Sequence, residues 1–584
     1  MKKTTKCMLK SALVTGALGM LSVLVTSSTA TASNDGGDIG FSSHAGNYLI
    51  GRAAGRAKDY DVAAQFYSRA YDENPGDQIL LERAFILNVT TGEMIRAGEL
   101  AEQIIVTRPD HQLARFVMGL HEAKNNNFIA ARKEFESAAL NRIGSLTSSV
   151  LIAWTYAAAN NRKKAYKALD TLDGQGDLSK FKAAHRAFIA EYLKDLPEAE
   201  KNYKIAYSTA GNSLRLIQRY GSFLWRAGRI KEAETVFTNY LNNTEKNPII
   251  VEILANLKAG KKAPEIISSP DEGMFEVLFS LAGALSGRKD SSVALIYARL
   301  SLFMQPQLPV ARVLLAEIYE SLKQHKKAIE AFSTITQASP LYSNVTIQIA
   351  NNLDNIDRQD EAIAKLDALI ALEPDNFQAW STKGSIYYGR EQWIKAAEAL
   401  SLALARLKEK KRQHWAIYYY RGMAHERSGQ WSKAEPDFQM ALKLRPAQPA
   451  VLNYLGYSWI DRGENLDEAM EMVEQAAELR PRDGYIIDSV GWALYRLGKY
   501  EEAVKRLEQA VKLRPGDATI NDHLGDAYWK VGRKLEAGFQ WAHARDSKPE
   551  KKALAKILDK IKNGLPEGAK PPATVKKTGA ANKS

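Results

Sequence analysis

The 584-residue sequence holds one cysteine, Cys7, ahead of an apolar run near the N-terminus. A chain cut behind that run has no thiol, which excludes disulfides, a cysteine nucleophile and thiolate-bound metal, and suits an oxidising compartment. Histidine pairs at metal spacing are also missing. His121-Glu122 and His425-Glu426 open like a zinc-protease motif, but neither has a second histidine four residues after the first, so both read as surface helix residues. There is no Gly-x-Ser-x-Gly elbow. Gly174-Gln175-Gly176 lacks the third glycine and the preceding strand of a dinucleotide loop. No catalytic residue, cofactor site or metal site is therefore expected.

A large excess of one charge is missing too, once its distribution is followed. Of the formal +13, the first ten residues carry +4 through Lys2, Lys3, Lys6 and Lys10. Lys551–Ser584, with nine lysines against Asp559 and Glu567, carries +7, which leaves +2 for Ser11–Glu550. That is too little for a continuous phosphate-tracking groove, so no nucleic-acid partner is expected. The leading lysines, the uncharged run Ser11–Thr26 and the small residues through Ala30-Thr31-Ala32 predict a signal peptide, 1–32, cleaved after Ala32. The run is short for a spanning helix. Cys7 stands before it, badly placed for lipidation. The expected location is the periplasm or the outer-membrane periphery.

What the chain has in abundance is alanine at a fixed interval. Ala63, Ala97, Ala131, Ala165, Ala199 and Ala233 are 34 residues apart, as are Ala294, Ala328, Ala362 and Ala396; Ala434, Ala469, Ala503 and Ala537 follow at slightly varied steps. Most have a large apolar residue four positions on, and in many a small one follows three later. That is one helix face. A glycine often stands twelve residues before (Gly51, Gly119, Gly221, Gly384, Gly422, Gly491, Gly525), and many units close on proline. Small residues allow two antiparallel helices to approach and proline stops the second. Repetition at this length means stacked units, each covering its neighbour's apolar face.

This pattern resembles the tetratricopeptide repeat family, most clearly in GWALYRLGKYEEAVKRLEQAVKLRP, where Gly491, Gly498, Tyr500, Ala503, Leu507, Ala510 and Pro515 stand at the family's places. The resemblance runs from about Ser43 to Glu550 and implies an all-α superhelical solenoid of about fourteen helix-turn-helix repeats. The alanine phase breaks once, a step of 61 residues from Ala233 to Ala294, across the turn-rich AGKKAPEIISSPDEG. Two readings stay open: two arrays, 33–258 and 274–549, joined by 259–273, or a continuous superhelix with one irregular repeat. The 38-residue step to Ala434 is expected to lengthen a second helix by one turn around LARLKEKKRQHW, and the 35-residue step to Ala469 adds one residue within Arg462–Asn465. Residues 550–563 read as an amphipathic capping helix, with Leu554, Ile557, Leu558 and Ile561 on one face. Residues 564–584 read as a disordered basic tail with weak affinity for anionic envelope surfaces.

In this family the first helix of each unit lines a concave groove. Carrying its outward positions onto the last four units implies a partner-binding set of Tyr419, Met423, Asn453, Tyr457, Asp461, Tyr485, Asp488, Trp492, Tyr495, Asp522, Asp526 and Trp529. Rings and carboxylates there would suit a ligand with basic or donor groups. The lysine and asparagine clamp of chaperone-binding members is absent from these units. As a whole the sequence is similar to exported proteobacterial members of the family, and distantly to the lipoprotein adaptor of a carboxyl-terminal processing protease. The resemblance implies a non-enzymatic envelope adaptor that holds a protein partner such as a protease or cell-wall hydrolase. Two alternatives remain open. One is a periplasmic scaffold for polysaccharide secretion, stacking glycan on Tyr457, Trp492 and Trp529; the other is a cytosolic chaperone partner, which requires the leader to be misread.

Overall fold

The computed structural model describes residues 43–566 apart from 139–141, 174–177, 211–212, 245–246, 266 and 288–290; the expected signal peptide and most of the basic tail lie outside this range. Among the described residues there are thirty α-helices, one 3-10 turn and no strand. Twenty-eight of them follow one another as fourteen helix-turn-helix pairs, from His44–Arg56 with Tyr60–Glu73 to Ala518–Lys530 with Lys534–Asp546. Each ladder alanine lies on the second helix of its hairpin and is wholly buried. The reason is the crossing contact. A Cβ on Gly491 would stand 2.6 Å from Leu507, and one on Gly422 2.8 Å from Phe438, so glycine in the first helix makes room for the bulky residue that follows the alanine.

The irregular steps have local explanations. At the 38-residue step, helix Trp393–Ala405 keeps its length; the added residues form a loop and the 3-10 turn Arg412–His414 rather than another helical turn. At the 35-residue step the added residue is absorbed by two left-handed positions, Gly463 (φ 72°) and Asn465 (φ 44°). In the 61-residue step, helix Pro248–Lys258 packs on Ile230–Asn243 but has no second helix of its own. The chain then runs without helix to Ser269, which caps Pro270–Ser286 through its hydroxyl.

Two compact units divide at Lys365/Leu366 rather than at the joint expected over 259–273. Helix Pro270–Ser286 belongs within the first unit, whose described residues lie between 43 and 365. It packs against Arg142–Ala158 and Leu178–Tyr192 as well as its hairpin partner Ser292–Met304, which touches Gln78–Thr91 and Gln112–Lys124. The hairpin thus leaves the row and lies against the first helices of earlier repeats. Its sequence permits this because it is apolar nearly all round: Met274, Phe275, Val277, Leu278 and Ala282 are buried on successive sides. Gly273 meets the Trp154 ring, where a Cβ would overlap it. Glu276, fully buried, accepts from Arg215 Nε (3.1 Å) and Arg219 Nη2 (2.7 Å). Thr147 and Tyr297 share a hydroxyl contact of 3.1 Å, and Lys124 donates to the Met304 carbonyl at 3.1 Å.

The second unit, from Leu366 onward, is a regular stack of five hairpins, the first of them Phe377–Gly389 with Trp393–Ala405, closed by helix Lys551–Asn563. Ile557 of that helix is buried, while Leu558 and Ile561 stay exposed.

Candidate partner-binding face

The first helices of the second unit, Trp415–Arg427, Pro449–Arg462, Gly484–Arg496 and Ala518–Lys530, carry all twelve residues that the sequence assigns to a groove. Tyr419 and Met423 do not line it. Tyr419 is buried among Trp415, Tyr420, Phe438 and Tyr454, and Met423 receives the Tyr388 hydroxyl on its sulfur at 3.5 Å. Both belong to the core because their helix packs rings on two sides.

Three of the four carboxylates have a close basic partner: a histidine on the next first helix for Asp488, and one lysine of the closing helix for Asp522 and Asp526. Asp488 is buried and contacts His523 Nδ1 at 3.0 and 3.1 Å. Asp522 accepts from Lys560 Nζ at 2.8 and 2.9 Å; Asp526 takes the same ammonium at 2.8 Å and the Trp541 indole N–H at 2.9 Å. Asp461 makes a longer contact, 3.4 Å, to Arg496, and its side chain stays 47 % exposed. The partners His523, Lys560 and Arg496 follow their acids by about one repeat, so neighbouring repeats are stitched along the face. The acids expected to await a basic ligand are satisfied within the protein, and a paired carboxylate offers a ligand little.

Burial and pairing act on these groups in a consistent way. Burial alone would lower His523, but Asp488, with Asp522 and Asp526 beyond it, outweighs that and raises it. Lys560 is raised by the same two aspartates against its own burial. Asp526 is raised by burial despite Lys560.

The rings are also partly committed. Trp492 stacks on His523 (4.0 Å, 15°) and on Tyr495 (4.8 Å, 10°). Two rings that close to one indole, and not to each other, occupy its opposite faces. Trp529 leans on Trp541 at 5.5 Å with Lys534 above it at 5.1 Å, and Tyr485 lies beneath the Arg514 guanidinium at 4.7 Å. Trp492, Tyr495, Trp529, Tyr457 and Tyr485 nevertheless remain half-buried, and the half-buried Asn453 has an unpartnered side-chain oxygen. Burial raises the Tyr457 and Tyr495 hydroxyls.

Sequence reasoning missed His523, Lys560 and Arg496 as the partners. The signal was available: a cation 34–38 residues after each acid, one repeat on. The two histidines set aside as surface residues are packing residues. His121 contacts the Met94 carbonyl at 2.8 Å and tilts over Phe303, and His425 is half-buried. No group of three or more metal-ligating side chains occurs among the described residues.

Tetratricopeptide repeat models match residues 41–78, 310–340 and 415–448, and a TPR repeat model matches 491–532. A TPR repeat-containing protein of Pseudomonas aeruginosa is 27% identical over 186 residues, 32% of this chain and 31% of that one, so the match spans about a third of the relative's length. Among solved structures, the Cut9–Hcn1 hetero-tetramer of the APC/C is 16% identical over 89% of this chain and 96% of its own, at a TM-score of 0.38. Yeast Tom70 is 16% identical over 89% and 95%, at a TM-score of 0.33. Neither superposition carries a superhelical path or a partner across. With four repeat matches spread along its helix pairs, the chain carries tetratricopeptide repeats in both of its units.

Proposed function

We propose that the protein is a non-enzymatic scaffold of the bacterial envelope that holds a protein partner on the first-helix face of its C-terminal unit. The observation that carries this reading is the row of half-buried rings at successive groove positions, Tyr457, Trp492, Tyr495 and Trp529, beside the exposed carboxylate of Asp461. Rings already locked by stacking present contact area at little entropic cost, the property of interface anchors. The glycan alternative needs open flat faces, and the occupied faces of Trp492 favour a protein. The lysine-led, Ala-x-Ala-ended leader supports export, and a protease or cell-wall hydrolase is the partner class that the resemblance noted in the sequence implies.

The test is affinity capture by the full mature chain from solubilised envelope, parent against Tyr457→Ala/Asp461→Lys. These two side chains can be changed without opening the buried pairs. The double variant should lose the captured partner at unchanged helical content, and identical captures would refute the face. N-terminal sequencing should find Ser33 first; a soluble cytosolic form retaining Met1 would remove the envelope from the reading.

A further inference from the structure

Three arginines without an acidic partner line one cleft in the first two repeats of the N-terminal unit. A cleft of about 540 Å³ opens between helix His44–Arg56, the start of Tyr60–Glu73, and Gln78–Thr91, and no acidic residue lines it. Tyr48, Arg52 and Arg56 recur at i, i+4 and i+8, which places them on one face of the first helix. Arg83 and Ile86 enter from the next repeat, and Tyr67 forms the floor. Gly51 lets Tyr67 come close, since a Cβ there would stand 3.0 Å from its ring, and Gly55 leaves open space at the rim.

Arg52, Arg56 and Arg83 are exposed, and none makes a hydrogen bond or ion pair with the described residues; Arg83 lies over Tyr67 at 5.8 Å. Exposed Arg69 of the same repeat is also without an ion pair but lies over Phe66, outside the cleft lining, whereas three arginines further along are paired. Arg96 pairs with Asp72 and Glu99, Arg108 with Glu82, and Arg115 with Glu134. The nearby acids are committed elsewhere. Asp59 caps its own helix through the Val62 N–H, Asp61 pairs with Lys327 at 2.8 Å, and Glu73 accepts from Asn47 at 2.9 Å. Three guanidinium forks therefore face one cleft unneutralised, beside aromatic and aliphatic surface.

We propose that this cleft binds an acidic peptide segment, its carboxylates taken by Arg52, Arg56 and Arg83 and an adjoining apolar side chain by Ile86, Tyr48 and Tyr67. Arginine forks match carboxylates bidentately. A nucleic-acid backbone would need the basic track to continue, and it stops where Arg96, Arg108 and Arg115 are already paired. Tyr48 and Tyr67 meet edge to face (6.0 Å, 82°), so they form no parallel platform for bases. An anionic membrane would need a convex surface, and this one is concave.

The cleft lies in the other unit from the face discussed above and is probed with synthetic peptide, so failure here leaves the scaffold reading standing. Fluorescence anisotropy should be run on the full mature chain with a labelled peptide of alternating Asp/Glu and Leu, and with its Asn/Gln counterpart. The acidic peptide should bind, weaken with salt, and lose about tenfold or more in affinity in Arg52→Gln/Arg83→Gln. The lysine pair Arg52→Lys/Arg83→Lys should fall between, because it keeps the charge but not the fork. Arg482→Gln, an exposed change in the other unit, should bind as the parent does. Equal affinity for the neutral peptide, or no change in the glutamine variant, would overturn the proposal. So would displacement of the peptide by inorganic phosphate or phosphatidylglycerol vesicles at lower concentration than unlabelled peptide. Peptide binding seen only in Asp35→Asn/Asp38→Asn would instead assign the cleft to the chain's own preceding segment.

Discussion

The two units use one repeat and satisfy their charges in different ways. In the C-terminal unit, Asp461, Asp488, Asp522 and Asp526 pair forward, each to a cation about one repeat later, so every tie joins neighbours. In the N-terminal unit the deepest carboxylate, Glu276, sits on a helix that has left the row and is gripped by Arg215 and Arg219, some sixty residues earlier. Nearest-neighbour ties leave a solenoid whose repeats can open singly, whereas a helix laid against several repeats makes them open together. The N-terminal unit is accordingly expected to unfold as one body and the C-terminal unit to fray from its end.

The sharpest way to break that contrast is Glu276→Gln. Burial alone would raise this carboxyl, but the two guanidinium groups outweigh it and hold it at about 2. Removing the charge leaves two largely buried cations unpaired, at a cost of roughly 3–5 kcal/mol. Hydrogen exchange should then rise across the whole of 44–355. Exchange confined to Leu214–Arg226 and Pro270–Ser286 would show that the unit is as modular as its neighbour.

Lys560→Met tests the other side of the comparison. It strands Asp522 and the buried Asp526 and unpins the closing helix, at roughly 2–3 kcal/mol, because Lys560 is not wholly removed from water. The expected loss of protection is limited to Ala518–Lys530, Lys534–Asp546 and Lys551–Asn563. Spread beyond Tyr500–Leu513 would contradict fraying from the end.

The alanine period was enough to place fourteen hairpins, because each crossing admits only a small residue and the spacing of crossings is the spacing of units. It did not reveal the change of path after Ala233, since a period reports neighbours and helix Pro270–Ser286 packs against repeats far back in the chain. Its apolar residues on all sides were the legible sign, for a helix in a regular row keeps a wet face. The groove set named the right helices but took paired acids for free ones. Reading each acid together with the cation one repeat on would have shown that all four have a partner; that Asp461 alone stays well exposed is a matter of burial, which spacing does not report. The unpaired arginines 52, 56 and 83 were not separable from paired ones by sequence, because their freedom depends on where Asp59, Asp61 and Glu73 are used.

Within the regular stack, Ala503→Leu should cost about 1–3 kcal/mol, since Ala503 is wholly buried where two helices meet. Lys505→Leu, on the exposed side of the same helix, should stay within about 0.5 kcal/mol. Thermal melts of the two variants check this, and equal shifts would mean that the repeat phase is misassigned.

The smallest expected effect separates the units by the sign of their response to pH. His523 has its folded value raised above 6.5 by Asp488, so the stability it contributes is present below about pH 6.5 and is lost as pH rises through that raised value. In the N-terminal unit the signs reverse. Burial pushes His185 down to about 4, and Glu276 is held at about 2, so stability is present at neutral pH and lost as acid approaches those values. Raising the pH from about 5.5 to about 8.5 should therefore lower intrinsic-rate-corrected protection in Gly484–Arg496 and Ala518–Lys530 while raising it in Pro270–Ser286 over the acid part of that range, where His185 is protonated in the opened unit but not in the folded one. His523→Gln should flatten the C-terminal response without touching the N-terminal one, because no other imidazole contacts Asp488. A response that survives the substitution would place its origin in Asp526, whose folded value is raised as well, and would move the titrating tie from the middle of the stack to the carboxylate that holds the closing helix.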